Sequence, residues 1–186
     1  MDAFFKQTFE KSTTLDGSEY EQCIFTNCDL SNANLSNIKF IDCEFRNCGL
    51  SLANITGTTL NSVVFNQCKM LGLRFDECDQ FTLSFSFDNC TLNDSSFFKC
   101  KIKKTRFTNS QLHHVDFAQA DLAESVFDNC DLQNAIFDGT VLQKADFRTA
   151  IKYSINPEVN QIKKAKFSTA GVRGLLEKYD IVIEHL

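Results

Sequence analysis

The chain of 186 residues has no tryptophan, one proline, two methionines and seven glycines. No apolar run approaches the roughly 20 residues that a membrane helix needs. Residues 1–12 contain no apolar core of a signal peptide. The sequence therefore predicts a cytoplasmic protein without membrane partners, and its length fits a single domain.

Motifs of the common enzyme classes are missing as well. The chain has no GxxxxGK, HExxH, GxSxG or GxGxxG motif. Its histidines, His113, His114 and His185, have no cysteine or carboxylate set at ligand spacing. We therefore expect no enzymatic activity, no catalytic or metal site and no cofactor.

Phenylalanine, by contrast, occurs 19 times and much of it follows a fixed period. The tetrapeptide Phe25-Thr26-Asn27-Cys28 returns in related form at steps of twenty residues, with one longer step. The copies begin at Phe25, Phe45, Phe65, Phe87, Phe107, Phe127 and Phe147. Self-similarity along most of a chain is typical of a solenoid.

A finer period of five runs inside each repeat. From Tyr20 to Phe75 and from Phe87 to Phe147 every fifth residue is large and apolar. The residue two positions before it is small, with apolar exceptions such as Ile38, Leu73 and Val115. Neither the period of a helix nor that of a half-buried strand fits this pattern. A chain that turns a corner every five residues does fit, so that four sides make one coil. The seven phenylalanines would then form one stacked core ladder.

All nine cysteines occupy the small position, which would face the interior of the coil. The chain has no CxxC pair, and equivalent cysteines on adjacent parallel coils are poorly oriented for a disulfide. We expect the cysteines to be structural core residues in a reducing compartment.

Five-residue units such as Ala33-Asn34-Leu35-Ser36-Asn37 and Ala145-Asp146-Phe147-Arg148-Thr149 resemble those of the pentapeptide-repeat family. The resemblance extends over residues 20–150. It implies an all-β solenoid of about eight coils, built as a right-handed quadrilateral parallel β-helix.

The repeat divides the chain into three parts. Residues 1–19, where a weaker copy starts at Phe5, are predicted to be an irregular coil that caps the rod. Residues 20–150 are predicted to form the β-helix, with a phase slip at 80–86 that is either a bulge or a short loop. If the slip projects a loop, Phe81 is the candidate contact residue.

Residues 151–186 are predicted to hold a distorted last coil and a short C-terminal α-helix. Val172, Leu175, Leu176 and Tyr179 have the spacing of one apolar helix face. That face would either close the end of the rod or pair with a second copy, which would give a homodimer.

The net charge is −5, and it is distributed unevenly. Residues 1–150 carry 20 acidic and 13 basic side chains (−7), whereas residues 151–186 carry 4 acidic and 6 basic ones (+2). An acidic rod argues against direct nucleic-acid binding, because phosphates favour clustered Lys and Arg. The basic stretch from Lys99 to Arg106 allows two interpretations, ion pairs between coils or an anion-binding patch.

Two functions fit these observations, and the fold class does not choose between them. One is a non-enzymatic scaffold for an unknown protein partner. The other follows from the resemblance, whose quinolone-resistance (Qnr-like) members imply a DNA mimic that binds a type II topoisomerase. The enzyme would be DNA gyrase or topoisomerase IV, modulated or protected from quinolones. The candidate acidic face would contain Asp116, Asp121, Asp128, Asp131 and Asp138.

Overall fold

The computed structural model describes residues 2–184, which form an all-β parallel solenoid, as predicted. The strands are β1 Ala3–Phe5, β2 Thr8–Glu10, β3 Glu19–Glu21, β4 Ile24–Thr26, β5 Lys39–Ile41, β6 Glu44–Arg46, β7 Thr59–Asn61, β8 Val63–Asn66, β9 Phe85–Asp88, β10 Arg106–Thr108 and β11 Val126–Asp128. Within the described range there is no α-helix, and no helix is long and apolar enough to cross a membrane.

Two parallel sheets run along the rod. β1, β3, β5 and β7 form a four-stranded sheet, and β2, β4, β6, β8, β9, β10 and β11 form a seven-stranded sheet. Each strand pairs with the strand one turn away, so the seven strands span six turns. Isolated parallel bridges add two further series, one running from Asp29 to Ile151 and one that includes Asn34 and Ile136. Backbone pairing therefore recurs at four positions in each turn.

Large apolar side chains stack inside the rod in four columns, which we number in chain order. The first column contains Phe4, Tyr20, Phe40, Leu60, Ile102, Leu122, Leu142 and Ile162. The second contains Phe9, Phe25, Phe45, Phe65, Phe87, Phe107, Phe127, Phe147 and Phe167. The third contains Leu30, Leu50, Met70, Leu92, Leu112 and Leu132. The fourth contains Leu35, Ile55, Phe75, Phe97, Phe117 and Phe137.

The second column places the seven periodic phenylalanines directly above one another. Consecutive ring centroids from Phe25 to Phe147 lie 4.5–5.4 Å apart, and the rings are within 18° of parallel. This spacing follows from strand pairing, because neighbouring strands are about 4.8 Å apart. Each ring therefore buries both of its faces against the rings of the adjacent turns.

The corners between columns are made by residues with positive φ. The residue two positions after a column residue has left-handed backbone in nearly every five, for example Asn27 (φ 56°), Asn47 (φ 52°) and Asn129 (φ 52°). Asparagine adopts this conformation more readily than most residues. The corner amides also pair between turns, since Asn47 Nδ2 donates to Asn27 Oδ1 at 2.7 Å. These corners explain the period of five.

The small interior position serves the backbone. All nine cysteines are free and buried there. Seven of the thiols lie close to a carbonyl oxygen of the neighbouring turn, as Cys43 Sγ does 3.2 Å from Tyr20 O. Burial raises the pKa of Cys43 to about 11. Where the position holds a hydroxyl, it donates similarly, as Thr140 Oγ1 does to Phe117 O at 2.9 Å.

The N-terminal coil corrects one expectation from the repeat. Counting back twenty residues from Phe25 selects Phe5, but the residue that pairs with Phe25 is Phe9 in β2, at a step of sixteen residues. By the same step, Phe4 in β1 lies opposite Tyr20 in the first column. The two rings stack with centroids 5.2 Å apart. Phe5 lies outside and is 53% exposed.

The C-terminal segment corrects another. In place of an α-helix it contains two 3₁₀ helices, Gly171–Leu175 and Glu177–Tyr179. The bonds that define them join residues three apart, such as Leu176 N to Arg173 O at 2.9 Å. Two glycines within five residues weaken an α-helix. They are needed here, because a Cβ at either would clash with Tyr153 of the last coil.

Candidate interaction surfaces

The five acidic candidates do not share one face of the rod. Asp116 and Asp138 flank the fourth column, Asp121 flanks the first, Asp128 lies in β11 beside the second, and Asp131 flanks the third. The register that stacks the interior therefore distributes these carboxylates around the circumference.

Cations also neutralise part of the set. Lys152 Nζ lies 2.7 Å from Asp131 Oδ2, and Lys103 Nζ lies 3.2 Å from Asp121 Oδ2. Partial burial would raise the pKa of Asp131, but the hydrogen bonds to its carboxylate, chiefly the one from Lys152, together outweigh burial and hold that pKa below its ordinary value. The surface around these residues is a mixture of signs rather than a continuous negative strip.

The phase slip is a loop at residues 79–84 that replaces one rung of the first column. Asp79 N donates to Thr58 O at 3.0 Å at its start, and Ser84 N donates to Leu60 O at 2.9 Å at its end. Between these points the side chain of Leu83 is buried against the core, whereas that of Phe81 is 93% exposed. Among the large apolar side chains described as exposed, it is the most exposed.

The C-terminal segment is held on the last coil by polar and backbone contacts. Ile155 N donates to Gly174 O at 2.8 Å, and Tyr179 Oη donates to Glu158 Oε1 at 2.9 Å. Lys178 forms an ion pair with the same carboxylate. The segment therefore lies against residues 153–158.

Of the four apolar candidates in this segment, Leu175 packs against the core. Val172 and Leu176 face a largely apolar groove of about 610 Å³. The rest of the groove wall is Thr169, Ala170, Arg173 and Ile183. The side chain of Tyr179 is 48% exposed. In the chain that follows, the side chain of Val182 is 86% exposed. This end of the rod thus presents an open apolar surface.

The interior offers almost no room for a ligand. A cavity of about 10 Å³ lies among Ile55, Leu60, Phe75 and their neighbours, which is about the space of a single water. Among residues 2–184 no group of three or more metal-ligating side chains comes together. The described surfaces suit contacts with macromolecules better than enclosure of a small substrate.

Comparison with known sequences settles the family. The family profile described as "Pentapeptide repeat region" matches residues 18–86 and 74–147. The chain belongs to the pentapeptide-repeat family. The comparison with curated protein sequences yields no match.

Two solved structures of pentapeptide-repeat proteins are similar in fold. HetL, which is involved in the regulation of heterocyst differentiation in the cyanobacterium Nostoc sp. strain PCC 7120, has a TM-score of 0.57 at 14% identity. The alignment covers 89% of this chain and 84% of HetL. Full-length QnrB1, a plasmid-mediated fluoroquinolone resistance protein, has a TM-score of 0.51 at 18% identity, with 97% and 100% covered. At such identities the likeness concerns the fold.

Two surface features of this pentapeptide-repeat protein depend on residues that are distant in sequence and adjacent in space. The corner residues form a column of their own, for which the signal was Asn at Asn27, Asn47 and equivalent positions. Basic residues twenty apart also come together, as at Lys144 and Lys164. Reading the sequence in rows of twenty would have found both.

Proposed function

We propose that this pentapeptide-repeat protein is a non-enzymatic scaffold that binds a protein partner. The observation that supports this most is the filled interior, in which the cavity beside Leu60 and Phe75 measures about 10 Å³. Outward side chains, by contrast, stand on regularly paired backbone at fixed positions. A rigid rod with ordered outer side chains can recognise a macromolecular surface without a cleft.

We further propose the finer architecture that the family implies. Four pairing positions per turn support a quadrilateral coil, and the family predicts a right-handed one. The irregular first turn and the coil up to Phe167 would bring the count to about eight. The C-terminal segment would cap the last coil, and the protein would act in the cytoplasm.

The partner would contact the loop at residues 79–84. A photoreactive amino acid placed at Phe81 should cross-link a discrete protein in cells. The matched control is Leu52, which is 65% exposed on a different part of the rod. Cross-linking at Phe81 but not at Leu52 is expected. Equal adducts at both positions, or none at either, would contradict the proposed contact.

The apolar groove at the C-terminal end supports a homodimer. Light scattering after size-exclusion chromatography should give twice the chain mass. The double variant Val172→Ser/Ile183→Ser should give the monomer mass. The control Ile136→Ser/Ile151→Ser changes two side chains that are 50% and 53% exposed elsewhere, and it should stay dimeric. A monomeric wild type would exclude this interface.

The second candidate is binding to a type II topoisomerase, which the fold similarity to QnrB1 favours. The assay is DNA supercoiling by gyrase with and without a fluoroquinolone, titrated with the purified full chain. Inhibition or drug protection that weakens in Asp116→Lys/Asp121→Lys, but not in the control Asp2→Lys/Glu10→Lys, is the expected result. No effect at tens of micromolar would reject gyrase as the partner.

A further inference from the structure

Positively charged side chains lie along one corner of the rod in its C-terminal half. Lys104, Glu124, Lys144 and Lys164 are the corner residues that follow the first column, with φ of 62°, 63°, 59° and 61°. Backbone bonds connect their turns, as Lys104 N to Ala123 O and Lys144 N to Lys163 O. At about 4.8 Å per turn, these corners form a line of about 15 Å.

Residues beside this line add further charge. We add to the four corner residues the residue before each corner and the second residue after it. These twelve residues include seven basic and two acidic side chains, so their net charge is +5, whereas the whole chain has a net charge of −5. The basic ones, which we call the basic edge, are Lys103, Lys104, Arg106, Lys144, Lys163, Lys164 and Lys166. The acidic ones are Glu124 and Asp146.

Ion pairs leave much of this charge available. Lys144 lies 3.4 Å from Glu124, and Lys103 lies 3.2 Å from Asp121, but both lysines are about 60% exposed, where pairing is weak. Lys104 and Lys164 make no ion pair within 4 Å in the part of the chain that the structure describes. The ion pairs between turns therefore neutralise only part of the positive charge on the basic edge.

The loop at residues 79–84 lies at the foot of this edge. The loop belongs to the turn directly above β7. The turn after it contains Lys101 and Lys103, because Ser86 in β9 pairs with Arg106 in β10. The exposed ring of Phe81 thus belongs to the rung adjoining the first lysines of the edge.

We propose that the basic edge and Phe81 together bind single-stranded nucleic acid. A line of cations tracks a phosphate backbone, and an exposed aromatic ring stacks on a base of any sequence. A base offers the ring a flat face for stacking, which an acidic peptide does not, so the combination of a line of cations with an exposed aromatic ring favours nucleic acid. Net charge predicted no nucleic-acid contact, because it sums the whole rod and hides lysines that only the register brings together.

The test is fluorescence anisotropy of a labelled oligothymidylate of about 15 nucleotides with the full chain. Binding should weaken between about 50 mM and 200 mM salt with a log–log slope near −3, as for about four phosphates on a single strand. The double variant Lys144→Gln/Lys164→Gln should bind about tenfold more weakly at low salt. Phe81→Ala should weaken binding about fivefold or more and leave the salt slope unchanged.

The matched control is Lys6→Gln/Lys11→Gln, which removes two corner lysines with φ of 51° and 55° at the other end of the rod. It should bind within about twofold of wild type. An equal loss in this control would reduce the effect to net charge and overturn the proposal. So would absent binding at low salt. If poly-glutamate binds as tightly as the oligonucleotide and Phe81→Ala leaves the affinity unchanged, the basic edge would instead be assigned to an acidic protein.

Discussion

The turns below and above the loop fill the same interior in different ways. In the lower turns, residues 2–78, aromatic rings stand in the first and second columns as far as the turn of Phe40 and Phe45, which meet edge to face at 5.3 Å. In the upper turns, residues 85–167, they stand in the fourth and second columns, and Phe117 meets Phe127 at 5.8 Å. The second column is constant, whereas its aromatic partner changes position.

The change occurs one turn below the loop, where the first column contains Leu60 instead of a ring. Leu60 and Phe75 belong to the same turn, and the cavity of about 10 Å³ lies beside them. Just above, the ring of Phe85 lies 5.2 Å from that of Phe75. From Phe25 to Phe137 each turn therefore has a ring in the second column and at least one more, which stands in the first column up to Phe40 and in the fourth column from Phe75 onward.

The small interior position differs between the regions as well. Six cysteines occupy it in the lower turns and three in the upper turns. The upper turns use Ser95, Thr105, Ser110, Ser125 and Thr140 in addition. Both choices are small and can donate to a neighbouring carbonyl, but only the thiol titrates in the alkaline range.

The largest expected effect is loss of a ring from either region. Phe45→Ala and Phe107→Ala, both in the shared second column, should each lower the free energy of unfolding by about 3–5 kcal/mol. Denaturant unfolding followed by circular dichroism measures this. Phe81→Ala is the control and should change it by no more than about 0.5 kcal/mol. Unequal losses at Phe45 and Phe107 would show that the second column is not equivalent in the two regions.

The change of columns can itself be moved. Leu60→Phe places a ring in the first column of a turn that already has Phe65 and Phe75, and overpacking should cost about 1–3 kcal/mol. Adding Phe75→Leu restores two rings to that turn. The double variant should therefore be less destabilised than the sum of the single variants. If the losses in the free energy of unfolding are additive, the two ring positions in this turn do not compensate for each other.

A smaller effect separates the thiol-rich lower turns from the upper ones. Burial raises the pKa of Cys43 to about 11 and that of Cys130 to about 12, whereas a free thiol has a pKa near 8.5. A raised folded-state pKa gives stability that is complete below the unfolded pKa and is lost as pH rises toward the folded one. The free energy of unfolding should therefore fall from about pH 8.5 upward.

Cys43→Ser should flatten this alkaline decline, as measured by denaturant unfolding at a series of pH values. The variant Ser125→Thr, which introduces no thiol, is the control and should keep the wild-type slope. A decline of the same steepness in Cys43→Ser would assign the alkaline loss to other groups.

The smallest effect is expected from equivalent surface ion pairs. Arg46 pairs with Glu44 across Phe45, and Arg148 pairs with Asp146 across Phe147. Both carboxyl pKa values are held below the ordinary range by the hydrogen bond from the arginine. Their contribution is present above the unfolded carboxyl pKa and is lost as pH falls through the folded one.

Arg46→Gln and Arg148→Gln should therefore leave Tm at neutral pH nearly unchanged, because both arginines are at least half exposed. Thermal unfolding at neutral pH and at pH values below the carboxyl range measures the difference between each variant and wild type. That difference should shrink in acid. A marked fall of Tm at neutral pH in only one variant would reveal a regional difference that the geometry does not show.

Much of the interior could be predicted from the sequence, because its period is simple. A step of twenty places Phe25 under Phe45, and the solenoid class follows from that step. The same counting failed at the N-terminal end, where it selected Phe5 in place of Phe9, because the first step is sixteen residues and only backbone pairing reveals it. Spacing between residues cannot report the length of an irregular turn.

The surface was less predictable, since it depends on which way each residue points. Asp116 and Asp121 are close in sequence but belong to different columns, whereas Lys144 and Lys164 are distant in sequence but adjacent in space. Helical spacing in the C-terminal segment predicted an α-helix, but Gly171 and Gly174 pack on Tyr153 and the segment forms two 3₁₀ helices instead. Tertiary contact overrode local periodicity there.

The backbone pairing described above also has a mechanical consequence. Hydrogen bonds between turns point along the rod, so a pull on the two chain ends loads the bonds of the terminal turns first. Those bonds open in succession, as in a zipper, rather than sharing the load in shear. Because each turn contacts mainly its neighbours, the rod should lengthen turn by turn under tension at a low and nearly constant force.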